Sequence, residues 1–109
     1  MTLREIQYEQ EVWSKNNFHD RRPYWAALGV CEEIGELAHT ILKREQRIRV
    51  SESEDDINFL EMDAIGDIVI FLMEFCNQRG YDLQTIIETT WNTVRQRDWK
   101  KFPKNGVSE

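Results

Sequence analysis

Carboxylates at helical spacing are the residues of this chain whose types and positions could do chemistry. In the run Glu-Glu-Ile-Gly-Glu, Glu33 and Glu36 stand three positions apart, so on a helix their side chains project one turn apart. Farther along, Asp63, Asp67 and Glu74 fall on one stripe of an otherwise apolar segment. Such stripes are purely structural when they face water or pair with a basic residue of another helix, and both alternatives stay open here.

The position of Asp67 favours a ligand. A buried, ionised carboxylate is very unfavourable unless a cation or strong hydrogen-bond donors balance it, or its pKa rises. No basic residue lies within a turn of Asp67 on its own segment. Carboxylates facing each other across two antiparallel helices form an all-oxygen site of the kind that hard divalent cations prefer. Mg²⁺ in such a site would neutralise and orient a triphosphate and acidify a water for attack on phosphorus.

Four helices are predicted to position these carboxylates. We expect them to cover residues 2–16, 23–46, 54–79 and 83–99. Pro23 suits a helix start, Ser53 with Asp56 suits a cap, Gly80 suits a helix end and Asp82 suits the next cap. The predicted fold class is all-α, with one domain over residues 1–102 and a loose C-terminal tail over residues 103–109.

The third predicted helix is apolar almost all the way round between Ile65 and Cys76. A helix of this kind lies at the centre of a bundle or in an oligomer interface. Three partner helices from so short a chain would hardly cover it, so we expect a homodimer or a dimer of dimers, that is, a homotetramer. Cys31 and Cys76, the only cysteines, each sit in an apolar run and are expected to be buried, reduced thiols.

Charge and hydropathy exclude several classes of partner. The formal net charge of -6 argues against a general nucleic-acid binder, which needs clustered Lys and Arg. The N-terminal residues are polar and carry no apolar signal region. The longest apolar stretch is interrupted by Asp67 and Glu74 and is too short to span a bilayer. We therefore expect a cytoplasmic protein without a membrane partner.

Two motifs in this order resemble a known enzyme family. E-E-x-x-E in the second helix, followed by D-A-I-G-D in the third, resembles the MazG-like all-α nucleoside triphosphate pyrophosphohydrolases. The similarity runs from Trp13 to Trp99 and includes the Asn17-Phe18 turn, EEIGELAHTILKREQRIR, DAIGDIVIFL and WNTVRQRDW. It implies a four-helix MazG-like bundle and Mg²⁺-dependent hydrolysis, with Mn²⁺ as an alternative metal. A (deoxy)nucleoside triphosphate would be split into nucleoside monophosphate and pyrophosphate.

The resemblance also implies roles for the carboxylates. Glu33 and Glu36 would be metal ligands, and Glu32 beside them would be a ligand or a base that orients water, which makes Glu32 and Glu33 the catalytic candidates. Asp67 matches the final residue of the family's E-x-x-D motif. The Glu of that motif is replaced by Ala64 in this chain. Asp63 shares the face of Asp67 and is the expected substitute ligand.

The remaining candidates are substrate contacts, and for each of them a solvated charge or a core aromatic is the alternative. They comprise basic residues and an amide for the phosphates, Lys43, Arg47, Asn92, Arg95 and Arg97, and the aromatic residues Trp13 and Phe18 for a nucleobase. Family members carry Asn-x-Lys on the last helix; Asn92 fits this motif, whereas Val94 takes the Lys position. A second hypothesis is a nucleotide-binding or regulatory module that lost full catalysis when Ala64 replaced Glu. A third is a helical scaffold without a small-molecule site.

Overall fold

The protein is all-helical in the part of the chain that the structure describes. The computed structural model describes residues 1–48 and 52–109. Its helices are α1 (Leu3–Asn17), α2 (Pro23–Gln46), α3 (Glu54–Arg79) and α4 (Leu83–Val94), and no strand occurs among these residues. The all-α prediction is therefore confirmed, and the first three helices begin and end within a residue of their predicted bounds.

Local hydrogen bonds explain most of these helix ends. Ser53 accepts from the backbone N–H of Asp56, and the Asp56 carboxylate accepts from the N–H of Ser53, which forms a capping box at the start of α3. Asp82 caps α4 by accepting from the N–H of Thr85. Gly80 ends α3 in the left-handed region with φ 72°, where a side chain would be strained.

The end of α4 differs from the prediction, because the helix stops at Val94 and not near Trp99. The Asp98 carboxylate accepts hydrogen bonds from the backbone N–H groups of Lys100 and Lys101, at 3.1 and 2.9 Å. Such local side-chain bonds offer the backbone an alternative to a helix. The N–H of Asp98 also donates to the carbonyl of Gly106 at 2.8 Å. We call the resulting compact segment, residues 95–104, the basic turn.

Helices α1 and α2 both run antiparallel to α3 and pack against different stretches of it. Arg44 near the end of α2 donates to Glu61 in the first half of α3. Gly29 near the start of α2 lies against the ring of Phe71, which a Cβ at position 29 would meet at 2.5 Å. In α1, Gln7 donates to Asn77 at 2.7 Å. Helix α2 therefore packs along α3 as far as Phe71, and α1 packs against the last turns of α3, around Glu74 and Asn77.

The chain leaves much apolar surface uncovered. Its radius of gyration is 17.8 Å, whereas a compact domain of this size would have about 13 Å. Its one cluster of buried residues is small, formed by Met73, Cys76 and Leu83 among the described residues. Large apolar side chains of α2, α3 and α4 are exposed: Leu28, Ile34, Ile41, Leu42, Phe59, Leu60, Met62, Ile65, Ile70, Leu72, Ile86, Ile87, Trp91 and Val94. A single copy thus lacks the core that a domain of this length would ordinarily have.

One of the two cysteine predictions is wrong. Cys76 is buried in the small core, as expected, but Cys31 is exposed. It lies on the face of α2 that points away from α3, together with the exposed Ile34 and Ile41. Apolar neighbours along the sequence therefore did not mean that Cys31 is buried. Separately, none of the helices in the described ranges has the length and hydropathy needed to cross a bilayer.

Candidate functional site

A pocket of about 240 Å³ lies between α2 and α3, and most of its polar lining is acidic. We call it the acidic pocket. Its lining residues are Glu32, Glu33, Glu36, His39 and Thr40 from α2, and Leu60, Asp63, Ala64 and Asp67 from α3. Every carboxylate that the sequence motifs single out as a metal or catalytic candidate therefore faces the same pocket. Asp67 approaches Glu33 and Glu36 from the opposite helix.

Small side chains at the contact between the two helices set the floor of this pocket. Ala64 is 3% exposed and Thr40 is 5% exposed. The Thr40 hydroxyl donates to the carbonyl of Leu37 at 2.7 Å, so its polar atom is satisfied within α2. With short side chains at these positions, the longer carboxylates on either side project over the contact. Ala64 itself lies on the wall of the pocket.

Negative charge in the acidic pocket is not balanced by protein cations. Burial raises the pKa of Glu33, and the neighbouring negative charges of Asp67, Glu32, Glu36 and Asp63 raise it further. None of these five carboxylates forms an ion pair with a basic residue in the described ranges. Mutual repulsion without a counter-charge is a state that a bound cation would relieve.

The donor set suits a hard divalent cation, although the carboxylates are not arranged as a finished metal site. Ionised Asp and Glu offer only oxygen acceptors, which Mg²⁺ prefers. Among the described residues, no three side chains of His, Cys, Asp or Glu are close enough together to hold a metal ion. The type and charge of these side chains therefore suit a divalent cation. For their oxygens to reach metal–ligand distances, the flexible carboxylate side chains would have to rotate.

A second, larger cavity of about 420 Å³ adjoins the acidic pocket. We call it the aromatic cavity. Its walls include four aromatic side chains, Trp13, Phe18, Trp25 and Phe71. Trp13 and Phe18 meet edge to face, with ring centroids 5.6 Å apart. Asp67 lines both the aromatic cavity and the acidic pocket, so an apolar site for a flat ring opens directly onto the cluster of carboxylates.

Glu74 does not belong to the acidic pocket, although it shares a sequence stripe with Asp67. It lies at the aromatic cavity and forms an ion pair with Arg21 at 3.3 Å. It also accepts hydrogen bonds from the side chains of Ser14, Gln10 and Gln78. Burial alone would raise the pKa of Glu74, but these hydrogen bonds and the Arg21 charge lower it below its ordinary value. Its role in this structure is to fasten α1 and the following turn to α3.

The predicted phosphate-binding residues lie away from the acidic pocket within one chain. Lys43 pairs with Glu52 at 3.2 Å, and Arg47 ends α2 with a left-handed φ of 55°. Asn92, Arg95 and Arg97 follow on α4 and the basic turn, and α4 makes no contact with α2 among the described residues. These five residues line neither the acidic pocket nor the aromatic cavity.

Several lining residues of the two sites were not predicted from the sequence as site residues. Phe71 and Arg21 of the aromatic cavity and His39 of the acidic pocket are among them. His39 follows Glu36 by three positions, so helical spacing alone would have placed it on the acidic face. Phe71 carries no such signal, because an apolar residue in an apolar helix has the same pattern whether it lines a cavity or a core.

Comparisons with known proteins identify no relative of this chain. No family model matches the chain, and no curated protein or solved structure matches it either.

Proposed function

We propose that this protein is a Mg²⁺-dependent nucleoside triphosphate pyrophosphohydrolase. The observation that carries the proposal is the position of Asp67, which lines the acidic pocket on one side and the aromatic cavity on the other. A nucleoside triphosphate has the matching division, with a flat apolar base at one end and a chain of phosphates at the other. The adjacent sites therefore fit the two ends of one substrate.

In this proposal the nucleobase enters the aromatic cavity. Trp13 and Phe18 at its mouth are about half exposed, which leaves ring faces accessible for stacking. Stacking of a base on an aromatic side chain contributes roughly 1–3 kcal/mol. The sugar then passes Asp67, and the phosphates reach the carboxylates of α2 and α3.

Glu33, Glu36, Asp67 and Asp63 would hold Mg²⁺, with Mn²⁺ as an alternative, and the ion would offset the repulsion between carboxylates and phosphates and acidify water. Glu32 and Glu33 are proposed to position the attacking water and take up its proton. The water oxygen bonds to the α-phosphorus, the bond from that phosphorus to the bridging oxygen breaks, and pyrophosphate leaves.

The proposal includes self-association as a homodimer or dimer of dimers. Apolar side chains remain exposed along α2 and α3, including Ile34, Ile41, Met62 and Ile65. Covering them contributes about 25 cal/mol for each Å² removed from water. A MazG-like bundle of paired chains would supply that cover and complete the core.

A second candidate is a nucleotide-binding or regulatory module without full catalysis. Ala64 favours it, because this position lies on the wall of the acidic pocket and offers no ligand. Such a module would bind a non-hydrolysable triphosphate but release no pyrophosphate.

The test is pyrophosphate release from a panel of ribo- and deoxyribonucleoside triphosphates with Mg²⁺ or Mn²⁺. We expect turnover of at least one substrate, dependence on the metal, and loss of turnover in Asp67→Asn. The matched control is Asp55→Asn, which removes an exposed carboxylate in the first turn of α3 and should keep wild-type turnover. Absence of turnover together with tight binding of a non-hydrolysable triphosphate would replace the enzyme with the binding module.

A further inference from the structure

Charge is divided unevenly along this chain. The basic turn contains five basic residues, Arg95, Arg97, Lys100, Lys101 and Lys104, and one acidic residue, Asp98. The preceding 94 residues contain eighteen acidic and nine basic residues. A strongly acidic body is thus followed by a compact cationic segment, whose shape is fixed by hydrogen bonds between Asp98, Phe102 and Gly106.

The two charged regions do not neutralise each other within one chain. Arg95, Arg97, Lys100 and Lys104 form no ion pair with any residue of the described ranges. Lys101 lies over the ring of Phe102, with its Nζ 5.3 Å from the ring centroid. The carboxylates of the acidic pocket likewise lack cationic partners, and α4 does not reach α2. Complementary charges are therefore present on the same molecule but separated.

Helix α4, which carries the basic turn, also has an uncovered apolar face. Ile86, Ile87, Trp91 and Val94 are between 38% and 57% exposed. Only the first residue of the helix, Leu83, is buried, where α4 meets α1 and α3. The rest of the helix projects from the body with apolar residues on one side and the cations at its far end. This arrangement fits packing against another apolar helix beside an acidic site.

We propose that α4 packs against a second copy of this chain and that its basic turn completes the partner's acidic pocket. Arg95 and Arg97 would contact the phosphates of a nucleoside triphosphate whose metal is held by the other chain. This inference rests on the proposed function for the identity of the ligand. A guanidinium group is suited to the task because its planar donors match phosphate oxygens.

Charge complementarity identifies the occupant as a second copy. One chain supplies both an unpaired acidic pocket and an unpaired basic turn, so a twofold pair satisfies both at once and forms two equal sites. An exposed apolar side chain also lines the acidic pocket, since Leu60 of α3 is 42% exposed. Apolar packing and charge pairing would therefore be parts of one continuous interface.

Complementation between two defective chains tests the arrangement. One chain carries Asp67→Asn, and the other carries Arg95→Gln with Arg97→Gln, which keeps the Arg97 stem that packs beside Gly106. Each chain alone should lose at least about tenfold in kcat/KM, because a charge-assisted phosphate contact or a metal ligand is missing. Co-expressed chains with different tags, purified as the mixed pair, should recover about half of wild-type turnover, since one of the two sites contains both intact parts.

Two outcomes would each contradict the proposed arrangement. Mixed pairs without activity would show that the arginines act within their own chain, and wild-type kcat/KM in the arginine variant would show that the basic turn is not at the site. Lys15→Ala is the control, because it removes an exposed cation on α1 that pairs only with Glu11. It should leave kcat/KM unchanged.

A second measurement keeps the placement testable if the wild-type protein releases no pyrophosphate, an outcome that would count against the proposed function alone. In a Cys31→Ser background, one tagged chain carries Glu36→Cys and the other carries Arg97→Cys. A short bismaleimide should join the two tags in one band, whereas Lys15→Cys in place of Arg97→Cys should not be joined. Absence of the mixed band would overturn the inference.

Discussion

Replacing Glu74 by Gln removes the charge at the centre of the network that fastens α1 to α3. Glu74 accepts hydrogen bonds from the side chains of Ser14, Gln10, Gln78 and Arg21. Gln has nearly the same volume but offers one acceptor oxygen and adds two donors. The variant would therefore leave donors facing donors and would remove the counter-charge of Arg21.

The size of the effect follows from burial. The side chains of Arg21 and Glu74 are 21% and 15% exposed. Breaking a fully buried ion pair costs about 3–5 kcal/mol, and the remaining solvent contact of this pair reduces our estimate to about 2–3 kcal/mol. A loss of that size in a domain of about 100 residues lowers the melting temperature by about 10 °C.

The loss should depend on pH in a defined direction. The pKa of Glu74 is lowered in the folded chain because the donors and Arg21 outweigh the effect of burial. Its contribution to the free energy of unfolding is therefore present above the ordinary value of 4.5 and disappears as the pH falls through the lower folded-state pKa. Asp82, whose pKa is lowered to about 2 mainly by its hydrogen bond from Arg4, contributes equally to wild type and variant. The difference between the two proteins should consequently shrink below about pH 4.5.

Thermal unfolding followed by circular dichroism, at one protein concentration and at several pH values, measures this difference. Glu9→Gln is the control. Glu9 is an exposed residue of α1, and its substitution removes the same charge from the same part of the molecule. If Glu74→Gln melts within a degree or two of Glu9→Gln at pH 7, or if its deficit persists unchanged in acid, the account of the network is wrong.

Three further predictions concern the site and the assembly. Asp63→Ala should lower turnover and Mg²⁺ affinity together, as expected also for Asp67→Ala, and adding Ala64→Glu to the Asp63→Ala chain should restore part of both. If Asp63→Ala binds Mg²⁺ as tightly as wild type, Asp63 is not part of the site. Trp13→Ala should raise KM about tenfold, because stacking on the base is lost. The control is Tyr8→Ala, which removes an exposed aromatic residue of the same helix outside the cavity and should leave KM unchanged. Equal KM values for the two variants would exclude Trp13 from base binding. Light scattering at micromolar concentration should give a dimer or tetramer, and a stable folded monomer would contradict self-association.

The helices could be predicted from the sequence where their ends depend on a few neighbouring residues. Each of these ends is defined by residues within four positions of it: Ser53, Asp56, Gly80 and Asp82. Such ends can be predicted without knowledge of tertiary contacts. The end of α4 was predicted too late because the segment after it is held partly by a distant contact, in which the Gly106 carbonyl accepts from the N–H of Asp98 eight positions earlier. That contact requires the chain to fold back.

The candidate site divides in the same way. Helical spacing places Glu33 and Glu36 on one face, and the antiparallel packing of α2 and α3 brings Asp67 opposite them. The role of Glu74 was not predictable from spacing, because its partners Ser14 and Arg21 come from another helix and a turn. Of the aromatic cavity, Trp13 and Phe18 were predicted as nucleobase contacts, whereas Phe71 was not, because the walls come from several separate segments.

Hydrolysis in H₂¹⁸O shows which phosphorus atom water attacks. The chain is incubated with Mg²⁺ and a nucleoside triphosphate that it turns over, and both products are analysed by mass spectrometry. Attack of water on the α-phosphorus predicts one ¹⁸O atom in the nucleoside monophosphate, unlabelled pyrophosphate, and no product from Asp67→Asn. Label in pyrophosphate, release of inorganic phosphate in place of pyrophosphate, or equal turnover by Asp67→Asn would contradict the account.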